Sequence, residues 1–141
     1  MEGRHIYAFT VLQVAAAGAL AWVLVTAASP WNLQRYVGTF LVVLGGTFIA
    51  IARYQLGKSF SFRPEAHELV TRGVYSKIRN PIYVFGTMMV AGLILVLQRP
   101  ALWMVLIVVI VAQTIRSRRE AHVLEAAFGD AYREYRRKTW F

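Results

Sequence analysis

The chain has 141 residues, 57% of them hydrophobic, no cysteine, and 16 lysines and arginines against 7 acidic residues, for a formal charge of +9. The length suits one domain, and the lack of cysteine excludes disulfides, thiolate metal sites and a cysteine nucleophile. So apolar a composition favours a membrane protein, and the basic residues lie in blocks between apolar runs, which points to lipid headgroups rather than nucleic acid as their counter-charge.

Residues 6–28 carry no charge over 23 positions, enough to cross a hydrocarbon core of roughly 30 Å at about 1.5 Å per residue. The run is longer than the apolar part of a signal peptide and its leading segment is barely basic, so a first transmembrane helix is expected rather than a leader cleaved near Ala27-Ala28-Ser29. Ser29-Pro30-Trp31-Asn32 turns the chain and sets an indole where interfacial aromatics belong. Residues 36–52 form the second apolar run. Its Gly45-Gly46 pair would let another helix approach closely, and Arg53 ends it.

Residues 53–80 are a polar connection with six basic side chains against Glu65 and Glu68. A loop of that length inside a compact chain is more often functional than a spacer. Phe60 and Phe62 alternate with serines, which fits a segment in the headgroup layer or a short strand. The connection ends in Gly73-Val74-Tyr75-Ser76-Lys77-Ile78-Arg79-Asn80-Pro81-Ile82-Tyr83. There Arg79 is a fixed cation, Asn80 a two-way amide, and Pro81 stands at the first position of the next helix, where its missing N–H costs nothing.

Residues 81–97 and 101–115 are two further apolar runs, joined by Gln98-Arg99-Pro100 into a helical hairpin. Each is at or below the usual spanning length. Residues 116–141 read as an amphipathic tail helix with Leu124, Phe128, Tyr132 and Tyr135 on one face, interrupted at Gly129-Asp130. Six lysines and arginines lie in the middle connection, seven in the tail and one at the N-terminus, against Arg35 and Arg99 in the two short turns. By the positive-inside rule both termini and the connection are cytoplasmic. The expectation is an all-α integral membrane protein of an inner membrane or endomembrane: one domain over 1–141, with four transmembrane helices, a cytoplasmic connection and an amphipathic C-terminal helix. His5, His67 and His122 show no metal-ligand spacing, and no metal is expected.

Two segments together carry a resemblance. The first is His67-Glu68-Leu69-Val70-Thr71-Arg72-Gly73-Val74-Tyr75 followed by Arg79-Asn80-Pro81-Ile82-Tyr83; the second is Glu120, Leu124, Phe128-Gly129, Tyr132 and Tyr135. In that order, separated by a helical hairpin, they resemble the isoprenylcysteine carboxyl methyltransferase family and its phospholipid methyltransferase relatives. The resemblance covers residues 63–138. It implies an S-adenosylmethionine-dependent methyltransferase without a Rossmann domain, acting on a lipophilic acceptor at the cytoplasmic membrane face; no Gly-x-Gly-x-x-Gly follows a strand here.

The same resemblance assigns cofactor contacts to His67, Glu68, Leu69, Val70, Tyr75, Asn80, Pro81, Ile82, Tyr83 and Glu120. Arg116 would face the substrate, and Arg116 with Glu120 would form the catalytic pair. Chemistry agrees with these roles: Glu120 can pair with an ammonium, Asn80 can meet a carboxylate, and the rings of Tyr75 and Tyr83 can lie against a sulfonium or an adenine. The residues alone also allow Arg116 and Glu120 to be an i, i+4 surface pair and the tyrosines to be interfacial belt aromatics. The family's histidine is replaced by Asn80 and its second glutamate by Ala121, and the chain closes on Thr139-Trp140-Phe141 instead of arginine-phenylalanine-isoleucine-proline. The residues also allow two other readings: an NADPH-dependent membrane reductase of the sterol reductase type, and a non-catalytic scaffold or transporter. No apolar run carries the ionisable residue that a proton-coupled carrier needs. Membrane lipids are the expected surroundings and nucleic acid is not an expected partner.

Overall fold

The computed structural model describes residues 15–16, 18–57 and 69–141. The start of the first expected span, and Lys58 to Glu68 of the connection with Phe60, Phe62, His67 and Glu68, lie outside the described residues. Residues 18–26 are helical. After them come three long helices, α1 (Leu33–Leu56), α2 (Pro81–Leu97) and α3 (Trp103–Lys138), with short 3-10 turns at Gly73–Ser76 and Pro100–Leu102. Among the described residues there is no strand, and one isolated parallel bridge joins Ile78 to Trp140.

α1 begins three residues before the expected second run because Asn32 caps it, its side chain accepting from the Arg35 N–H at 3.0 Å. A side-chain acceptor at that position satisfies one of the four N–H groups that open every helix. The turn before α1 is held by Arg35, which is 1% exposed. Its guanidinium donates to the carbonyls of Leu24 (2.8 Å), Ala27 (3.0 Å) and Ser29, and lies 3.9 Å over the Trp31 ring. A planar cation with five donors thus closes the carbonyl end of residues 18–26, where the helix dipole favours positive charge. Arg35 is a structural cap as well as a topology signal.

α1 and α2 run antiparallel along a glycine seam. A methyl group on Gly38 would meet the Gly92 carbonyl at 2.6 Å, and one on Gly45 would meet the Phe85 carbonyl at 2.8 Å, so the two backbones touch where these residues lack side chains. Of the expected Gly45-Gly46 pair, Gly45 makes the close approach. Gly46 faces only the Met89 sulfur, 3.9 Å away. Phe48 and Phe85 stack at 4.6 Å beside the seam. At the far end Gln98 takes a left-handed conformation that ends α2. Its amide exchanges hydrogen bonds with Asn32 (3.1 and 3.2 Å) and donates to the Pro30 carbonyl at 3.0 Å. The two turns predicted to share one side of the membrane are tied together.

α2 starts at Pro81 as expected. α3 departs from the reading in two pieces: no break separates residues 101–115 from the tail, and one helix runs from Trp103 through Arg116 to a kink at Gly129 (φ 51°, ψ −120°). Nothing in residues 112–119 stops a helix; the change from apolar to basic side chains alters its surroundings but not its backbone. Arg133, beyond the kink, donates to Glu125 before it at 2.8 Å and to Asp130 at 3.1 Å. The expected interruption at Gly129 is present.

Leu33–Leu56 and the segment Pro100–Lys138 are long and apolar enough to cross a membrane; Pro81–Leu97, at 17 residues, is shorter. Their outward faces carry Phe40, Val43, Met104, Val108 and Val111, each more than half exposed. Apolar surface on that scale needs lipid or protein against it.

Candidate active site

The site is built where α2 begins and α3 passes beside it. A small core first fixes the approach to α2: Ala52 of α1, Val70 and Tyr75 are buried together, with Leu56 and Ile82 packed on them. The Gln55 side chain accepts from the Val74 N–H at 2.7 Å and lies directly under Gly73, whose φ of +60° suits glycine and whose missing Cβ leaves room for the amide. From the other side the Tyr135 hydroxyl donates to the Tyr75 carbonyl at 2.7 Å. Burial raises the Tyr75 phenol well above its ordinary value and pushes the Tyr135 phenol up to about 12. Both stay protonated across the physiological range, as donors rather than bases.

Residues 77–80 are then clamped by the end of the chain. The Arg79 and Asn80 N–H groups donate to the carbonyls of Trp140 and Phe141, each at 2.9 Å, and the Trp140 N–H donates to the Lys77 carbonyl at 2.8 Å. Asn80 occupies the N-cap position of α2 without capping it by side chain. Its amide instead donates to the Ser117 hydroxyl of α3 at 3.1 Å. One turn further along, the Tyr83 hydroxyl donates to Glu120 Oε1 at 2.5 Å, and Arg116 Nε donates to the same oxygen at 3.1 Å. The Arg116 guanidinium also stands 5.9 Å from the centre of the Tyr83 ring. Both contacts on Glu120 fall on Oε1; Oε2 has no hydrogen-bond partner among the described residues.

The sequence-predicted residues therefore divide. Asn80, Tyr83, Arg116 and Glu120 converge across α2 and α3, and Pro81 is buried at their base. Arg116 and Glu120 form the i, i+4 pair that their spacing allows, with Tyr83 added to it. Val70 and Tyr75 are core residues, Leu69 and Ile82 are half-buried, and His67 and Glu68 lie outside the described residues.

Two contacts were not anticipated. Ser117, 8% exposed, holds Asn80, and the Thr87 hydroxyl lies 2.6 Å from Gln113 Oε1 within the apolar part of the helix pair. The signal was in the spacing: Asn80, Tyr83 and Thr87 recur at three and four along α2, and Gln113, Ser117 and Glu120 at four and three along α3. Such spacings put each set on one helical face.

The arrangement offers one carboxylate oxygen beside a tyrosine ring and an amide at a helix start, a set that can receive a cationic group. No group of acidic or histidine side chains that could hold a metal occurs among the described residues. A comparison with curated proteins finds no match. The family model described as phospholipid methyltransferase matches residues 33–131, from the first residue of α1 to just past the Gly129 kink, and so takes in both faces of the site. A match over well more than half of the chain, together with helices apolar enough to cross a membrane, shows that this protein belongs to the phospholipid methyltransferase family of membrane methyltransferases, which includes the isoprenylcysteine carboxyl methyltransferases.

Proposed function

We propose that the chain transfers a methyl group from S-adenosylmethionine to a lipophilic acceptor at the cytoplasmic membrane face, handling its cofactor as isoprenylcysteine carboxyl methyltransferases do. The observation that carries the reading is the Tyr83–Glu120 hydrogen bond, which brings the Pro81 corner and the middle of α3 into one polar site. In this reading Glu120 Oε2 receives the cofactor's ammonium while Tyr83 and Arg116 hold Oε1, and Asn80 offers its amide to the cofactor's carboxylate. Backbone groups of residues 67–70 bracket the adenine. Arg116 faces an anionic part of the acceptor.

The bound cofactor supplies an electrophilic methyl carbon on a sulfonium. Held by Glu120, Tyr83 and Asn80, that group would supply the methyl and leave as S-adenosylhomocysteine, with any proton of the acceptor atom passing to water. Positive charge disperses in such a step, so what the protein contributes is alignment and exclusion of water. The phenols of Tyr75 and Tyr135, held protonated, take no proton from the acceptor.

The membrane arrangement belongs to the same proposal. Residues 6–28, α1, α2 and the apolar half of α3 are four spans, and the basic half of α3 lies on the inner leaflet. Arg53, Arg72, Lys77, Arg79, Arg116, Arg118 and Arg119 gather at the end of the helices that holds the site, while Arg35 and Arg99 mark the other end; the positive-inside rule makes the first end cytoplasmic.

The test is incubation of the purified protein with methyl-labelled S-adenosylmethionine and a panel of acceptors: a prenylated cysteine, a phosphatidylethanolamine, a long-chain thiol and a quinol. Label in an extracted lipophilic product is the expected result. Binding of NADPH instead of S-adenosylhomocysteine, seen as a raised unfolding midpoint, would refute it.

A further inference from the structure

The segment beyond the Gly129 kink takes no part in the proposed methyl transfer, yet four of its hydrogen bonds hold the approach to α2. Tyr132 and Tyr135 are its buried face, and the side chains between and beyond them, through Lys138, are exposed. The Tyr135 hydroxyl donates to the Tyr75 carbonyl, and Trp140 and Phe141 then pair with Lys77, Arg79 and Asn80 through main-chain groups alone. The last of these bonds falls on Asn80, where the chain turns into α2. An asparagine at that position ordinarily folds its side chain back onto an N–H of the first turn, and that bond fixes it. Here no such bond forms, and the side chain crosses to Ser117 of α3. What fixes the Asn80 main chain instead is the Phe141 carbonyl on its N–H.

The direction of the segment is set at Gly129, whose φ of 51° with ψ of −120° is a conformation that glycine adopts and other residues avoid. On a straight helix Glu125 and Arg133 would stand about 12 Å apart along the axis. Across the kink Arg133 reaches Glu125 at 2.8 Å, but these side chains are largely exposed and such pairs contribute little, so the glycine decides the angle. Taking the methyltransferase reading above as given, we infer that residues 130–141 are a positioning strap: Gly129 turns the end of α3 back over residues 75–80, and the strap's hold on the Asn80 main chain sets the Asn80 amide where it meets the cofactor's carboxylate. Asn80 touches the cofactor, and Tyr135 and Trp140 act through it. Because Trp140 acts by its main chain, its exposed ring is dispensable for this role.

The experiment measures S-adenosylhomocysteine affinity of the full chain in detergent, by titration calorimetry well below each variant's unfolding midpoint. Asn80→Ala is expected to weaken binding about ten-fold, as a hydrogen bond to a charged group allows, and sets the upper limit for the strap. Trp140→Pro deletes the N–H that donates to Lys77, Tyr135→Phe deletes the hydroxyl, and Gly129→Ala disfavours the kink while its methyl meets nothing within 4 Å. Each should weaken binding about three- to five-fold and speed amide exchange at Arg79 and Asn80. In the Asn80→Ala background the same three changes should add no further loss. Trp140→Ala, which keeps its main-chain groups, should stay within about two-fold of wild type, near the low end of what one hydrogen bond contributes. Arg35→Met is the control for a purely structural effect, lowering the midpoint from the other end of the helices without moving the affinity. Should another variant fail to fold, Tyr135→Phe, the mildest change, decides. The inference is overturned if the strap variants lower only the midpoint, if their losses add in full to that of Asn80→Ala, if Asn80→Ala binds as wild type does, or if Trp140→Ala loses as much as Trp140→Pro. A wild type that binds no S-adenosylhomocysteine would instead refute the methyltransferase reading on which the inference rests, and the inference with it.

Discussion

Glu120→Gln separates the charge of the proposed cofactor site from its shape. Glutamine can still accept from Tyr83 and Arg116 through its amide oxygen, so the polar corner survives while the anion is lost. A carboxylate and an ammonium about 4 Å apart interact by roughly 4 kcal/mol at an effective dielectric near 20. The Glu120 side chain is 25% exposed and Arg116 already lies on Oε1 at 3.1 Å, so solvent and that neighbouring cation reduce the figure, to about 2 kcal/mol. That is about a thirty-fold weaker Kd for S-adenosylhomocysteine, measured by titration calorimetry in detergent. Tyr83→Phe removes only the donor that orients Oε1 and should cost about 1 kcal/mol, near five-fold. Because Tyr83 acts through Glu120, the double variant should bind no worse than Glu120→Gln alone. A Glu120→Gln protein within two-fold of wild type would refute the assignment of the ammonium to Glu120, and a full additional loss from Tyr83→Phe in that background would refute the claim that the tyrosine acts through the carboxylate.

Arg116→Ala should leave S-adenosylhomocysteine affinity within a few-fold of wild type while lowering turnover of an anionic acceptor at least ten-fold, which initial rates at saturating cofactor will show. Gly38→Ala puts a methyl 2.6 Å from the Gly92 carbonyl and should lower stability by about 1–3 kcal/mol, whereas Gly46→Ala, with only the Met89 sulfur at 3.9 Å, should leave the thermal midpoint nearly unchanged. Arg35→Met leaves the carbonyls of Leu24, Ala27 and Ser29 without their charged donor and should cost at least about 2 kcal/mol, read as a drop in the same midpoint. Tyr135 has a folded-state pKa raised by burial to about 12, above the ordinary value of 10.0, so its contribution to stability is full below pH 10.0 and is lost as pH climbs toward 12. Phenolate absorbance should show a late step near pH 12 that disappears in Tyr135→Phe.

The helix pair was legible because its signals are local. Proline at the first position of α2, asparagine before α1 and uninterrupted apolar runs each act within a turn or two, and the bounds of α2 follow from them. The continuity of α3 was not legible in the same way. A block of arginines after Ile115 reads as the end of a membrane segment, yet arginine, glutamate and alanine are good helix formers and the backbone passes through. Tyr83, Asn80, Arg116 and Glu120 could be gathered only through a resemblance between two distant motifs, since no propensity tells a tyrosine on one helix which glutamate it will meet 37 residues later. Ser117 and Gln113 carried a periodic signal of their own, but a lone serine or glutamine in an apolar helix is too common to be singled out without its partner in view.

Arg35 and Gln113 show why that distinction matters in a chain of this kind. Both are polar residues among apolar neighbours, and hydropathy treats them alike as blemishes in a span. Arg35 spends both terminal nitrogens on backbone carbonyls of the chain itself, with its Nε buried and without a hydrogen-bond partner among the described residues, and so closes a helix end. Gln113 meets the Thr87 hydroxyl of α2 at 2.6 Å, a polar tie between two apolar helices. A cation that gives most of its donors to the carbonyls of a helix end stabilises the fold.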